Sequence, residues 1–307
     1  HGPMNPTVDA ATSLRIRTNS KLNLYLRVVG RRPDGYHELE SIFHGIGLGD
    51  EIELEPTSTG NTEVEMELGD LAGEIPTSEE NLVFQAATRL VERGAMNPGV
   101  RIKIKKNIPI AAGLGGGSGN AAGALFALSK LWGLELPDTD MLEVAGLIGS
   151  DVPYCIGGGT VLAMKRGEEL TPLPAPHRLW FVLGVSFRKM LTRDVYEEWD
   201  RVDPVDNAGS APLTFALGVG NAAEVAMLLH NDLEQAAFRL WPELGSKKQA
   251  LIDAGALGAA MTGSGPTIFG VANDSDHAHE IAARIKGDFD RALVVSSHPR
   301  CVEWVDS

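Results

Sequence analysis

The sequence predicts a two-domain protein of mixed strands and helices. Apolar and polar residues alternate in several short runs, other segments have helical periodicity, and prolines cluster at Pro172, Pro174 and Pro176. A chain of 307 residues is long enough for about two ordinary domains, each with its own core. We therefore place an N-terminal domain over residues 4–170 and a C-terminal domain over 171–307, after a tag remnant at His1-Gly2-Pro3.

In the first domain, strands precede a glycine-rich segment and helices follow it. Alternation predicts strands over 14–29, 50–56, 62–68 and 100–106. Between the last two, Asn81 opens a helix through about Arg93. After the glycines, Ala121, Leu125, Leu128 and Trp132 share a helical face, and a second helix covers 138–148.

The second domain interleaves strands with helices. Strands are predicted over 180–185, 258–262, 267–271 and 291–296, and helices over 222–229, 242–254 and 277–285. The charge runs Glu63–Glu67 and Glu197–Asp200 are predicted to be solvated faces of their elements.

Composition narrows the class of protein. A hydrophobic fraction of 43% and a charged fraction of 22% are typical of a soluble globular protein. The net charge of −14 argues against a nucleic-acid partner. Cys155 and Cys301 form no CxxC pair, which fits a reducing cytoplasm, and no run reaches the ~18 apolar residues of a membrane span. We expect a cytoplasmic protein, monomeric or weakly dimeric, that acts on a small molecule.

The segment Gly113-Leu114-Gly115-Gly116-Gly117-Ser118-Gly119 lies between a predicted strand and a predicted helix. Main-chain amides and the first N–H groups of the helix can converge there on an anion, and glycine lets a phosphate approach the backbone. No Gly-Lys-Ser/Thr follows, so this is not a Walker A loop. The segment predicts a phosphate-binding loop; a flexible linker or tight turn is the alternative.

Three further features have two interpretations each. Gly263-Ser264-Gly265-Pro266 is either a plain turn or a second glycine turn that clamps a ligand. Asp151 is either a helix cap before Pro153 or an acid–base group. Lys21 is either a solvated strand lysine or, with Asn23 on the same face, part of a pocket wall.

Together these residues resemble the GHMP kinase superfamily and, within it, the 4-diphosphocytidyl-2-C-methylerythritol kinases. The superfamily motifs are SKLNLYL at 20–26, PIAAGLGGGSGNAA at 109–122 and MTGSGPTIFG at 261–270. The narrower signal is GRRPDGYHELES at 30–41, with GSDVPY at 149–154 and HNDLE at 230–234.

The resemblance implies an α+β fold with a ribosomal-S5-like N-terminal domain, a ferredoxin-like C-terminal domain and the site in the cleft between them. It implies ATP, Mg²⁺ and a cytidine diphosphate-linked methylerythritol substrate that is phosphorylated on its 2-hydroxyl. Asp151 then resembles the general base, and Lys21 the group that orients it and favours its ionised form.

The remaining site residues are likewise implied by position. Asn23, Tyr36, His37, Phe43 and Thr192 match substrate-binding positions, with His37 reading the cytosine and the aromatic rings stacking on it. Positions on the ATP side are matched by Asn81, Lys106, Pro109 and the loop residues 113–119. Gly119 stands where the family usually has a second serine, which leaves Ser118 as the hydroxyl near the phosphates.

Other functions remain open from the sequence. Another kinase of the superfamily, acting on homoserine, mevalonate or a sugar, would have no need for the GYHEL segment. A non-catalytic sensor could lose Lys21 or Asp151, and an S5-like RNA-binding module conflicts with the acidic balance.

Overall fold

The computed structural model describes residues 13–71, 73–76, 80–167, 169–203 and 207–305. Two long antiparallel strands, β1 (Leu14–Arg31) and β2 (His37–Pro56), form the centre of the first sheet. They are joined by the turn Arg32–Tyr36, in which the Arg32 amide donates to the Tyr36 carbonyl at 2.7 Å. The sequence predicted only the second half of β2, because Gly45, Gly47 and Gly49 interrupt the pattern of the first half.

Among the described residues, this first sheet has eight strands. β3 (Thr62–Glu67) and β4 (Val100–Lys105) extend it beyond one half of β2, while β5 (Thr160–Lys165) pairs with the other half and carries β6 (Glu169–Pro172). Apolar and polar residues alternate along β4, and its Ile102 and Ile104 are fully buried. This alternation explains why the strand was predictable from the sequence.

The helices of the first half are α1 (Leu82–Glu92), α2 (Gly116–Leu131), α3 (Asp138–Ile148) and α4 (Val152–Gly157). They share one core with the inner face of the sheet, and α2 is buried on nearly every side. The predicted start of α2 at Ala121 was wrong, since the helix already begins at Gly116. Part of the predicted glycine loop is therefore the first helical turn.

A four-stranded antiparallel sheet organises the second half. Its order is β11 (Arg291–Ser296), β7 (Trp180–Val185), β10 (Ile268–Ala272) and β9 (Gly258–Met261), where the strand numbers follow the chain. The helices that accompany it are α5 (Thr192–Trp199), α6 (Ala211–Val219), α7 (Ala222–Met227), α8 (Leu233–Leu240), α9 (Glu243–Asp253) and α10 (Ser275–Arg284). Helices α5, α6 and α8 were absent from the sequence prediction.

Two short strands of the second half return to the first sheet. β8 (His230–Asn231) pairs in parallel with Tyr25 and Leu26 of β1, and β12 (Val302–Trp304) pairs with its residues 16–18. β6 crosses the predicted boundary between residues 170 and 171. The division into domains 4–170 and 171–307 stays a prediction. The first residues of the predicted N-terminal domain, 4–12, lie outside the residues that the structure describes. The two halves are thus interlocked along β1, the strand that carries Lys21.

Candidate active site

A cavity of about 750 Å³ opens where the two halves meet. Ten of the residues singled out from the sequence lie on its wall, between Lys21 and Thr192. They are Lys21, Asn23, Tyr36, His37, Phe43, Gly113, Gly115, Ser118, Asp151 and Thr192. The second glycine turn also reaches this wall, through Gly263, Ser264 and Gly265. The fold therefore gathers into one concave site residues that the sequence spreads over 245 positions.

Lys21 and Asp151 meet on this wall. The Lys21 Nζ lies 3.4 Å from the Asp151 Oδ2, with side chains that are 4% and 33% exposed. The interpretation of Lys21 as a solvated strand lysine was wrong, because β1 is an interior strand and its ammonium is buried. A buried ammonium needs compensating partners, and here they are the Asp151 carboxylate in an ion pair and the Asn23 amide oxygen in a hydrogen bond.

Asp151 occupies the N-cap position of α4, yet its carboxylate makes no capping hydrogen bond. Its side chain contacts Lys21 instead, and it is one-third exposed and lines the cavity. The capping interpretation therefore does not explain this residue. A carboxylate held beside an ammonium on a cavity wall can accept a proton from a bound hydroxyl.

A hydrogen-bonded chain fixes the Lys21 ammonium from behind. Lys21 Nζ donates to Asn23 Oδ1 at 2.7 Å, and Asn23 Nδ2 donates to Ser41 Oγ at 2.9 Å. Ser41 in turn donates to the Tyr25 carbonyl at 2.7 Å. Lys21 also lies 4.9 Å from the centre of the Phe43 ring. Every member of this chain is buried, so the ammonium is held in one place before any ligand binds.

The glycine segment lies against the same strand. The Leu114 carbonyl accepts hydrogen bonds from the Lys21 amide at 3.1 Å and from Ser20 Oγ at 2.8 Å. Gly115, the N-cap of α2, has a φ of +72°, and a Cβ there would lie 3.1 Å from Lys21 Cε. Glycine is thus favoured by the left-handed backbone, and a Cβ would also crowd the lysine side chain.

The first turn of α2 leaves amides without a hydrogen-bond partner inside the helix. The first hydrogen bond of the helix runs from the Gly119 amide to the Gly115 carbonyl at 2.9 Å, so the preceding amides have no partner within the helix. Gly117 is exposed, and a Cβ there would meet only Leu82 Cδ1 at 3.8 Å. An anion can therefore approach this turn closely, with the positive end of the helix dipole behind it.

The two glycine turns touch each other through their backbones. A Cβ on Gly113, whose φ is +78°, would lie 2.2 Å from the Thr262 carbonyl oxygen. The Thr262 hydroxyl lies 3.2 Å from the Gly113 carbonyl and 3.3 Å from Asn23 Oδ1. Thr262 thus joins the second glycine turn to the first and to the strand of Lys21. The interpretation of 263–266 as a plain turn gives no reason for this contact.

Several residues predicted on the ATP side lie off the cavity wall. Lys106 is 4% exposed and is ion-paired with Asp50, which also accepts from the amides of Asn107 and Ile108 at 2.7 and 2.9 Å. Asn81 caps α1 by accepting from the Val83 amide at 3.0 Å. The others off the wall are Pro109, Leu114, Gly116, Gly117 and Gly119. Their proposed nucleotide contacts stay predictions.

The far end of the cavity is built around His37. His37 Nε2 lies 2.7 Å from the Asp200 Oδ1, and its ring stacks on Tyr196 with centroids 4.8 Å apart and planes at 26°. Tyr36 is 56% exposed, with the Arg166 guanidinium 3.8 Å from its ring centroid. Burial, and then the charge of Asp151, raise the pKa of Tyr196 well above its ordinary range, so its phenol stays neutral. A flat aromatic ligand would find stacking faces here.

Sequence reasoning missed the contribution of α5. Tyr196, Glu197 and Asp200 line the cavity, and Glu198 is 8% exposed and paired with Arg201 and Arg239. The prediction that Glu197–Asp200 is a solvated face was therefore wrong for Glu198, which is buried, while Glu197 and Asp200 are exposed at the cavity. Tyr196 and Asp200 are spaced i, i+4, which was the available signal for one shared helical face.

Among the residues that the structure describes, no three or more His, Cys, Asp or Glu side chains form a group that could hold a metal ion. Within the same residues, no helix combines the length and apolar character that crossing a bilayer requires. Cys155 and Cys301 are buried free thiols.

Comparison with known proteins agrees with this geometry. A model of the GHMP kinases N terminal domain matches residues 81–159, and one of the GHMP kinases C terminal matches 216–291. The 4-diphosphocytidyl-2-C-methyl-D-erythritol kinase of Pelotomaculum thermopropionicum is 41% identical over 92% of this chain and 97% of its own. That of Mycobacterium tuberculosis is 38% identical over 90% and 87%.

Solved structures give the same result at the level of the fold. A crystal structure of 4-(cytidine 5'-diphospho)-2C-methyl-D-erythritol kinase superimposes with a TM-score of 0.75 and 33% identity, covering 92% of this chain and 99% of that one. The mevalonate kinase of L. major, in complex with R-mevalonate, superimposes with a TM-score of 0.77 at 20% identity, over 96% and 99%. Because it is only 20% identical, the mevalonate kinase structure supports a shared fold and no more than that.

Proposed function

Because the chain belongs to the GHMP kinase family, we propose that it transfers the γ-phosphoryl group of ATP to the 2-hydroxyl of 4-diphosphocytidyl-2-C-methyl-D-erythritol. One observation carries the proposal: a single cavity joins an open helix N-terminus, a lysine–carboxylate pair and an aromatic slot around His37. These features match, in order, the needs of a polyphosphate, of a hydroxyl acceptor and of a nucleobase.

In the proposed reaction Asp151 accepts the proton of the acceptor hydroxyl as its oxygen attacks the γ-phosphorus. The bond from that phosphorus to the bridging oxygen breaks, and ADP leaves with the bonding electrons. Lys21, already fixed by Asn23 at 2.7 Å, holds the carboxylate and offsets charge on the transferring phosphoryl group. Phosphoryl transfer depends mainly on positioning and charge stabilisation, and this chain has both ready in the free protein.

The amides of Gly116, Gly117 and Ser118 would bind the phosphates of ATP, in line with the position of Gly113 and Gly115 on the wall. Mg²⁺ is usually held by one or two protein oxygens together with substrate phosphates, rather than by a cage of side chains. The described residues fit that mode, since Ser118, whose side chain ends in a hydroxyl, lies on the wall. Ser118 would hold the ion, which neutralises phosphate charge when bound.

The slot at the far end would take the cytosine. Tyr36 and Tyr196 offer ring faces and His37 offers a hydrogen-bonding ring edge, while Phe43 lies deeper, beside Lys21. The Thr192 hydroxyl, 2.8 Å from Ser264 Oγ, lies on the wall where the second glycine turn ends. We assign it, with Asn23, to the methylerythritol end of the substrate.

A cytoplasmic location, the absence of a nucleic-acid partner and a monomeric or weakly dimeric state complete the proposal. The free thiols of Cys155 and Cys301 support the first, and the net charge of −14 supports the second.

An ADP-release assay over a panel of hydroxyl compounds tests the function. We expect turnover of the cytidine diphosphate-linked methylerythritol and none above background with homoserine, mevalonate or a free sugar. The same panel with the D151N variant provides the control for contaminating kinases. A higher kcat/KM for any acceptor that lacks the cytidine group would contradict the proposal.

A further inference from the structure

Asp200 stands at a position that helix electrostatics disfavour. It is the C-cap of α5, where the negative end of the helix dipole repels a carboxylate. Two groups from the other half of the molecule compensate for this. His37 Nε2 lies 2.7 Å from one carboxylate oxygen, and Arg31 Nη1 lies 3.4 Å from the other. The carboxylate therefore bridges α5 to the β1–β2 turn region.

The His37 ring is held by three neighbours that are close together on the chain. Tyr196 covers one ring face at 4.8 Å, and Trp199 meets the ring edge-on at 5.5 Å and 87°. The side chain is only 10% exposed, and its Nε2 is engaged by Asp200. Rotation of the ring would break the carboxylate contact and the stacking together. The ring is thus fixed with Nδ1 as its remaining nitrogen.

A carboxylate can only accept a hydrogen bond, so Nε2 must carry the proton. In the neutral imidazole the other nitrogen, Nδ1, is then a bare acceptor. Among the described residues, Nδ1 makes no hydrogen bond, and His37 lines the cavity. A bare acceptor recognises the exocyclic amine of cytosine, whereas uracil has a carbonyl oxygen at that position.

We propose that Asp200 is the positioning residue that fixes His37 as a hydrogen-bond acceptor and so selects cytosine over uracil. This rests on the proposed function, because it assumes that the base of the substrate lies in the slot beside His37. Asp200 does not itself touch the base. A site that pairs with the amine rejects the carbonyl analogue strongly, since two acceptors would face each other without a proton.

Kinetics with two substrates that differ only in the base test the proposal. We expect the ratio of kcat/KM for the cytidine and uridine compounds to fall by about tenfold or more in D200N, because the amide lets the proton move to Nδ1. The fall should come from a higher KM for the cytidine compound, with the KM for ATP unchanged. D194N, on the same helix and with the same loss of charge, should keep the wild-type ratio.

Nitrogen-15 NMR of the imidazole provides a measurement that does not depend on turnover. At pH 8 the wild-type His37 signals should show a protonated Nε2 and an unprotonated Nδ1, and D200A should show a mixture. Absence of the signals in H37Q assigns them among the 8 histidines. A protonated Nδ1 in the wild type, or an unchanged base ratio in D200N, would overturn the role of Asp200.

The two arms separate the failure of this inference from failure of the function. A wild-type protein that phosphorylates neither base compound contradicts the proposed function, while the NMR result still decides whether Asp200 sets the tautomer. If the wild type is active but D200N loses rate equally with both base compounds, then Asp200 has only a structural role.

Discussion

Replacing Gly117 by alanine should raise the stability of the protein and lower its affinity for ATP. In the free protein the new Cβ would meet only Leu82 Cδ1 at 3.8 Å, an ordinary contact, and the residue is helical. Alanine lowers the backbone entropy lost on helix formation, which is worth roughly 0.5–1 kcal/mol. For a chain of this size we expect the melting temperature to rise by about 1–3 °C.

The same methyl group would lie where a phosphate oxygen is proposed to approach the main chain. Loss of one hydrogen bond to a charged group costs about 1.5–3 kcal/mol, which corresponds to a rise of about 10–100-fold in the Kd for ATP. Calorimetric titration with ATP and thermal unfolding without ligand measure the two effects separately. A G117A protein with unchanged ATP affinity would place the phosphates elsewhere and refute the reasoning.

Gly113 provides the matched contrast, because its Cβ would clash with the protein itself. The Cβ would lie 2.2 Å from the Thr262 carbonyl oxygen, at a φ of +78°. The left-handed backbone costs about 1–2 kcal/mol and the overlap about 1–3 kcal/mol more. G113A should therefore lower the free energy of unfolding by about 2–5 kcal/mol, as measured in urea. A G113A protein as stable as the wild type would show that the two glycine turns are not packed together.

Two other predictions concern charge. D151N should lower kcat by about 10²–10⁴-fold with ATP affinity near normal, and an unchanged kcat would remove Asp151 from the role of base. His44 is buried between Thr160 and Ser297, and burial lowers its pKa to about 4. The unfolded chain binds its proton more readily, so stability is complete above about pH 6.5 and falls by about 3 kcal/mol as the pH drops to about 4. Urea unfolding at both limits, compared with H44Q, measures this loss, and an equal loss in H44Q would assign it to other groups.

The sequence predicted those parts of the fold whose signals are local. β4 and β7 have clear alternating or continuous apolar runs, and α3 has a clear helical period, so their bounds were nearly correct. The start of α2 was wrong because glycine has a weak helical preference, and the close packing of Gly116, where a Cβ would lie 2.8 Å from Ile108 Cγ2, is not visible in the sequence. β12 could not be predicted, because a strand of three residues depends on its partner β1.

The candidate site shows the same distinction. Lys21 and Asp151 could be named from their motifs. Whether each has a structural or a catalytic role depended on its burial and on the contact between the two, which are 130 residues apart in the chain. The i, i+4 spacing could place Asp200 on one helical face with Tyr196, but nothing near it in the chain indicates its charged partners. Its partners Arg31 and His37 are the last residue of β1 and the first residue of β2, both far from it in the chain. Long-range pairing of this kind is fixed by the fold and leaves no periodic signal.

The position of Lys21 connects these observations. Its amide hydrogen-bonds to the first glycine turn, its side chain reaches Asp151, and Asn23, two residues on, contacts Thr262 of the second turn. One strand therefore sets the distance between the proposed phosphate site and the proposed base. At Lys21 and Asn23 one edge of β1 is paired with β2 and the other hydrogen-bonds the two glycine turns, so the sheet and both turns hold that distance together. A change that shifts either glycine turn should then alter catalysis as well as nucleotide binding.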